Sequence, residues 1–366
     1  MKKVYTATLF LRNYGSALQA FALHNMLREL GADPILIKRP AVKIGKLSLL
    51  SRLKIFLRPE KHYGILKKIR RWFQKKHVVV KNRKIEKFMS ENTKIESLSV
   101  SIEGMKDGDS IFLCGSDQVW NIIDHDIYDY YLLNYEQARK DIEKYSFAAS
   151  TGTTSFTPEQ IKYYNNVLSD FRVLSLREKG AYNIFSKEID HDNIRWDMDP
   201  TLLYGKEFWD KITHRPAQEK PYVFVYMLRP NNDLIKMARE VAKKDNLNII
   251  YMGNFVNYYK GVITIKDAGI EEYLSYIKYA SKVITNSFHG TVFSLLFEKP
   301  FVSVYVESTS SRAENILEIT GLTNRLISTS QELGIIDSPI DYDLVRERLD
   351  NKRKESTAYL ESIIQS

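Results

Sequence analysis

The sequence predicts an α/β protein made of two doubly wound, Rossmann-like domains facing each other across a cleft. Three observations carry this. The chain opens as a strand, an amphipathic helix and a second strand, a βαβ unit that implies a parallel sheet with a right-handed crossover. The same rhythm resumes near residue 110 and again near residue 221. And 366 residues are more than one ordinary core accommodates.

In chain order, Lys3 to Leu9 reads as a strand and Phe10 to Gly15 as a loop. Ser16 to Leu30 reads as a helix with Leu18, Phe21, Ala22, Met26 and Leu27 on one side, closed by Gly31. Pro34 to Lys38 is the next strand. Residues 41–90 interrupt the pattern and read as a basic helical insertion: Leu49 to Leu57 form one amphipathic helix, and Ile65, Leu66, Ile69, Trp72 and Phe73 lie on a second after Pro59. Strands follow at Ser110 to Cys114, Lys144 to Ala149 and Arg172 to Leu176, with a helix from Pro158 to Leu168. The second domain carries strands at Tyr222 to Leu228, Leu247 to Met252, Val262 to Ile265, Lys282 to Thr285 and Phe301 to Val306. Its helices include Ile270 to Ala280 and one opened by Arg312. We divide the chain into residues 1–205, residues 206–340 and a charged final helix over 341–366 that packs back on the first domain.

Composition excludes several classes. One cysteine, Cys114, allows neither an internal disulfide nor a zinc site built on several thiolates, which suits a reducing compartment. The opening residues lack the apolar length and cleavage site of a signal peptide, and no apolar run approaches the roughly 20 residues that span a bilayer. A cytoplasmic protein is expected. The net charge of +9 is concentrated: residues 41–90 hold 16 Lys or Arg against two Glu, a balance of +14, so the remainder sums to −5. Such a segment is either the solvated face of a hairpin or a surface for anionic membrane. No recognised nucleic-acid module accompanies it, so no nucleic-acid partner is expected.

The chemistry gathers where predicted strands end. Val283 to Thr285 runs through Asn286 into Ser287-Phe288-His289-Gly290-Thr291, a strand-to-helix joint whose unpaired N–H groups and partial positive charge suit phosphate or carboxylate. An imidazole is the side-chain type best suited to general acid or base work, which makes His289 the candidate for it. Arg177 and Arg312 offer planar forks that match carboxylate and phosphate. Arg12-Asn13-Tyr14-Gly15 and Asp117-Gln118-Val119-Trp120-Asn121 lie at strand ends of the first domain, where open α/β sheets bind ligands. There is no Walker loop, G-x-G-x-x-G, H-E-x-x-H or nucleophile elbow. Asp124-His125-Asp126 and Asp197-Met198-Asp199 have the D-x-D form of metal sites, but solvated turns explain them as well; neither metal nor cofactor is expected.

Asn13 to Gln19, Gly115 to Asn121, Ser175 to Glu178, Ser287 to Gly290 and Lys299-Pro300-Phe301 together resemble the polysaccharide pyruvyl transferase family, in family order. The resemblance implies a fold similar to the glycosyltransferase-B architecture. It also implies transfer of a pyruvyl group from phosphoenolpyruvate, a co-substrate, to two hydroxyls of a sugar in a bacterial surface polysaccharide or its precursor. By that resemblance His289 is the catalytic acid, and Arg177, Ser287, Gly290, Thr291 and Arg312 bind the donor. Arg12, Asn13, Tyr14, Asp117, Gln118 and Trp120 then face the acceptor, which can be lipid-linked, and the basic segment could dock on the inner membrane leaflet. The chain departs from the family pattern at Ser287, where better-understood members carry arginine; Arg312 is the candidate replacement. The competing readings are a glycosyltransferase using a nucleotide sugar and a non-catalytic scaffold that binds membrane or saccharide.

Overall fold

The computed structural model describes residues 1–11, 13–38, 65–104, 110–122, 130–134, 143–253, 258–305 and 310–365. Arg12, the helix expected at residues 49–57 and the Asp124-His125-Asp126 motif lie outside these residues.

β1 (Lys3–Ala7) leads into α1 (Tyr14–Glu29), whose first turn is closed by a capping box in which Asn13 and Ser16 each accept the other's backbone N–H. β2 (Asp33–Lys38) is followed by α2 (Ile65–Asn92), β3 (Ile95–Ser97) and α3 (Leu98–Gly104). Because β3 pairs parallel to β2, α2 is the ordinary crossover helix between them, not an insertion over its whole length. Ile85, Phe88 and Met89 are buried in the core, with the Phe88 ring 5.1 Å from Phe21 of α1. The basic composition of the segment hid this, since Ile85, Phe88 and Met89 stand among Lys81, Arg83, Lys84 and Lys87 in the sequence.

β4 (Ser110–Cys114), β5 (Lys144–Ser146), α4 (Pro158–Val167), β6 (Phe171–Leu176), α5 (Lys179–Glu188) and β7 (Ile194–Trp196) complete a seven-stranded parallel sheet of order β3-β2-β1-β4-β5-β6-β7. β5 is shorter than the expected run to Ala149. The backbone turns to positive φ at Ala148, and Ala149 then bridges Asp117 and Leu176.

The short α6 (Lys206–Asp210) precedes the second sheet. It is built from β8 (Tyr222–Met227), α7 (Asn232–Asp245), β9 (Asn248–Gly253), β10 (Ile263–Ile265), α8 (Ile270–Lys278), β11 (Lys282–Thr285), α9 (Phe288–Leu296), β12 (Phe301–Val304), α10 (Ser310–Thr320) and β13 (Leu326–Ile327). Its order, β10-β9-β8-β11-β12-β13, repeats that of the first. Both sheets therefore reverse strand order beside their first strand, and ligands in such sheets bind at that switch point. α11 (Tyr342–Gln365) closes the chain. The largest apolar cluster runs from Val4 and Leu18 of the first domain through Trp209 to Phe293 and Leu317 of the second, so the two domains share a core. Among the described residues no helix is long and apolar enough to cross a membrane.

Candidate active site

Three strand ends and two helix starts converge between the domains. β6 ends in Arg177 and Glu178, and the turn after β4 supplies Asp117. Asp199 caps a short 3-10 turn over Pro200–Leu203 that follows β7. Across from them stand His289, in the first turn of α9, and Arg312 and Asn315, in the first turns of α10.

Arg177 is the hub. It is 3% exposed, donates from Nη1 to Asp199 Oδ2 at 2.7 Å, and has Glu178 at 3.8 Å and Asp117 at 3.9 Å. Burial alone would loosen its proton, but the Asp199, Glu178 and Asp117 carboxylates outweigh that and hold it more firmly than usual. Its Nε and Nη2 find no hydrogen-bond acceptor among the described residues, and neither does Nε of Arg312. Burial pulls the Arg312 guanidinium below its ordinary value, and repulsion from Arg177 adds to this. Two guanidinium groups that repel each other and keep unused donors are poised for an anion between them.

Asp199 links this hub to the histidine. Its Oδ1 accepts from the backbone N–H and hydroxyl of Thr201, and its Oδ2 lies 3.7 Å from Nε2 of His289. At that distance the contact is one of charge and not a hydrogen bond. Burial would raise the Asp199 carboxyl, but His289, Arg177 and Thr201 hold it well below the usual range. The imidazole is fixed on its other side by Gly15: a Cβ there would fall 2.0 Å from Nδ1.

The residues around His289 serve it differently from expectation. Ser287 caps α9 by accepting the Gly290 N–H, and the Thr291 N–H is bonded to the Ser287 carbonyl. The Thr291 hydroxyl is spent on Ser287 O and Ser303 Oγ, and Gly290 packs so closely on Thr285 that a Cβ would meet its Oγ1 at 2.3 Å. Ser287, Gly290 and Thr291 therefore build the helix start, with the Gly290 and Thr291 N–H groups and the Thr291 hydroxyl engaged within it.

On the acceptor side the same correction applies to two aromatic residues. Trp120 is fully buried, edge-on to Phe171 at 5.6 Å, and Tyr14 is stacked on Tyr273 at 4.6 Å, so neither offers a face to a sugar. Asp117 and Gln118 remain at the edge of the site. Asp117 takes a positive φ of 74°, a strained setting for a residue with a side chain, and its Oδ1 accepts the Gln118 N–H. Gln118 reaches toward Gly152, and half-buried Asn13 is the cap of α1.

A half-open pocket of about 270 Å³, counting its mouth, is bounded by Arg177 and Asp199 of the first domain and Phe288, Arg312 and Asn315 of the second. Sequence reasoning missed Glu178, Asp199 and Asn315 as site residues. Asp199 was visible only as half of a D-x-D motif, whose two carboxylates part company here: Asp197 accepts from Ser175 and Arg195 instead. Among the described residues no cluster of three or more His, Cys, Asp or Glu is arranged to hold a metal ion.

A sequence model of the family described as polysaccharide pyruvyl transferase matches residues 13–308. No curated protein matches the chain. Among solved structures, the Anabaena protein Alr3699/HepE in complex with UDP and glucose is similar at TM-score 0.53 and 11% identity, over 100% of this chain and 98% of that one. MnaA of S. aureus, solved with UDP, is similar at TM-score 0.51 and 14% identity over 97% and 91% of the two chains. The UDP-GlcNAc 2-epimerase of Methanocaldococcus jannaschii is similar at TM-score 0.51 and 12% identity, over 93% of each. At such identities these likenesses speak to the fold, two Rossmann-like domains of the glycosyltransferase-B kind.

Proposed function

The chain belongs to the polysaccharide pyruvyl transferase family, and from that premise we propose that it transfers the pyruvyl group of phosphoenolpyruvate to two hydroxyls of a sugar, forming a cyclic ketal and releasing phosphate. The observation that carries this is the pair of guanidinium groups of buried Arg177 and half-buried Arg312, with unused buried N–H donors beside one pocket and an imidazole at hand. An enolpyruvate with a phosphate and a carboxylate needs two such grips and one proton donor. Arg312, on the helix after β12, takes the place of the arginine that Ser287 lacks. The sugar acceptor would approach along Asp117 and Gln118. No metal or cofactor enters this scheme.

His289, protonated and faced by Asp199, gives its proton to the methylene carbon while a sugar hydroxyl attacks the adjacent carbon. The C–O bond formed leaves a methyl group, and the hydroxyl proton returns to the imidazole. The second hydroxyl then attacks the same carbon, the bond to phosphate breaks, and the remaining hydroxyl proton leaves on phosphate. The two hydroxyl protons thus end on the methyl group and on phosphate. Burial strengthens each charge contact along this path.

The alternative of a nucleotide-sugar donor draws on neighbours solved with UDP. It needs a carboxylate to grip a ribose, and the first one after His289, Glu298, is already paired with Lys206 at 2.6 Å and with Arg346. Thermal melts with phosphoenolpyruvate and with a panel of nucleotide sugars separate the readings. Phosphoenolpyruvate at 100 times its Kd should stabilise by about 2.7 kcal/mol, and phosphate should appear when a sugar acceptor is added. Stabilisation by UDP or GDP and none by phosphoenolpyruvate would replace this reading with glycosyl transfer.

A further inference from the structure

We propose that Gly15 and Tyr14, which belong to the first domain, are positioning residues for His289 in the second; this rests on His289 being the proton donor argued above. The backbone of α1 lies flat against the imidazole. A Cβ at Gly15 would stand 2.0 Å from Nδ1 and 2.5 Å from Cε1 and Cγ, so the contact exists only because the residue is glycine. Its φ is not positive and it lies within a helix, so close approach is the sole demand for glycine here.

One residue earlier, Tyr14 fastens this turn of α1 into the second domain. Its ring stacks on Tyr273 at 4.6 Å with planes 6° apart, and its hydroxyl donates to the Ala268 carbonyl at 2.9 Å. The flanking segment is secured from α2, by His77 to Asp267 at 3.0 Å and Lys84 to Glu272 at 2.5 Å. The imidazole therefore hangs from α9 but is oriented by the other domain, by Gly15 against Nδ1 and Asp199 beyond Nε2. The proton donor is aligned only when the domains are docked through Tyr14, which ties turnover to that docking.

Gly15→Ala tests this directly, and folding is not its expected casualty because alanine is the stronger helix former. The added methyl must displace the ring. We expect kcat to fall about 100-fold, the cost of misplacing a catalytic group by an ångström. The Kd for phosphoenolpyruvate, measured by calorimetry, should stay close to the wild-type value. The Cε1–H resonance of His289, identified as the one lost in His289→Gln, should shift. Tyr14→Phe keeps the stack and removes the bond to Ala268, and should show the same pattern with about a fivefold loss. A wild-type kcat in Gly15→Ala, or a lowered kcat with an unmoved His289 resonance, would overturn the proposal. A wild-type protein that never turns over would refute pyruvyl transfer instead, and the resonance alone would then decide whether Gly15 orients His289.

Discussion

At the scale of single residues the site is a relay of charges from Glu178 through Arg177 and Asp199 to His289, with Arg312 facing it. In the proposed reaction each member has a separable task. Removing the imidazole in His289→Ala should lower turnover by about 10²- to 10⁴-fold, the range of one general acid–base group, while phosphoenolpyruvate still binds. Arg312→Ala should do the converse first. Losing a charge-assisted contact worth about 1.5–3 kcal/mol weakens donor binding by roughly 10- to 100-fold, read from the ligand dependence of the melting temperature. If Arg312→Ala left donor affinity intact, the replacement of the arginine missing at Ser287 would have to be sought elsewhere. Residue type alone pointed to His289, Arg177 and Arg312, because few other side chains suit an acidic donor. It did not reveal Asp199 and Glu178 as partners of Arg177. Glu178 is its neighbour in sequence, but Asp199 meets it only because β6 and β7 lie side by side. Trp120 and Tyr14 show the opposite error: residues that read as binding surface are buried by contacts made far along the chain.

At the scale of elements the alternating strands and helices were legible because period and turn residues are local. Ile95–Ser97, Ile194–Trp196 and Leu326–Ile327 escaped notice, since two or three residues carry too little pattern. α1 holds a feature with a measurable consequence. His24, 5% exposed, accepts the backbone N–H of Lys94 on Nε2, and so ties α1 to the turn between α2 and β3. Burial lowers its pKa to about 4, with Arg28 and Lys94 adding to this and Asp33 opposing. The folded imidazole thus binds its proton more weakly than the unfolded one. Its contribution to stability is complete above the unfolded value near 6.5 and is lost as pH falls toward 4. By pH 5 this amounts to about 2 kcal/mol. Urea unfolding at pH 7 and pH 5 should show that loss in the wild type and a much smaller one in His24→Gln. Equal losses in the two proteins would mean that His24 is not the group responsible.

At the scale of the whole molecule the question is what holds two similar domains at the distance the site requires. Beside the shared core, the first turn of α1 is one tie and α11 is another. The beginning of α11 belongs to the second domain, where Tyr342 donates to the Lys299 carbonyl and Arg348 to the Thr320 carbonyl at 2.9 Å. Its end lies on the first, where Arg353 donates to the Leu202 carbonyl at 2.9 Å and Met198 to Ser356 at 3.3 Å. Tyr359 completes this anchor, with its hydroxyl on Ser146 O at 2.9 Å and its ring beneath the Arg195 guanidinium at 3.9 Å. Leu360 and Ile363 are buried beside it. A strap of this kind couples the stabilities of what it joins, because neither domain can unfold without releasing the shared helix. Tyr359→Ala removes a buried aromatic ring and should cost about 3–5 kcal/mol, which falls on the first domain's side of the strap alone. Calorimetry should then show the wild-type transition broaden or split, with the second domain melting nearer its original temperature. A single sharp transition, shifted down as a unit, would mean that the shared core from Leu18 through Trp209 to Phe293 carries the coupling without α11. Since Arg177 and Arg312 sit on opposite domains, the donor proposed to bridge them should lose affinity in Tyr359→Ala if the strap carries the coupling and keep it if the shared core does.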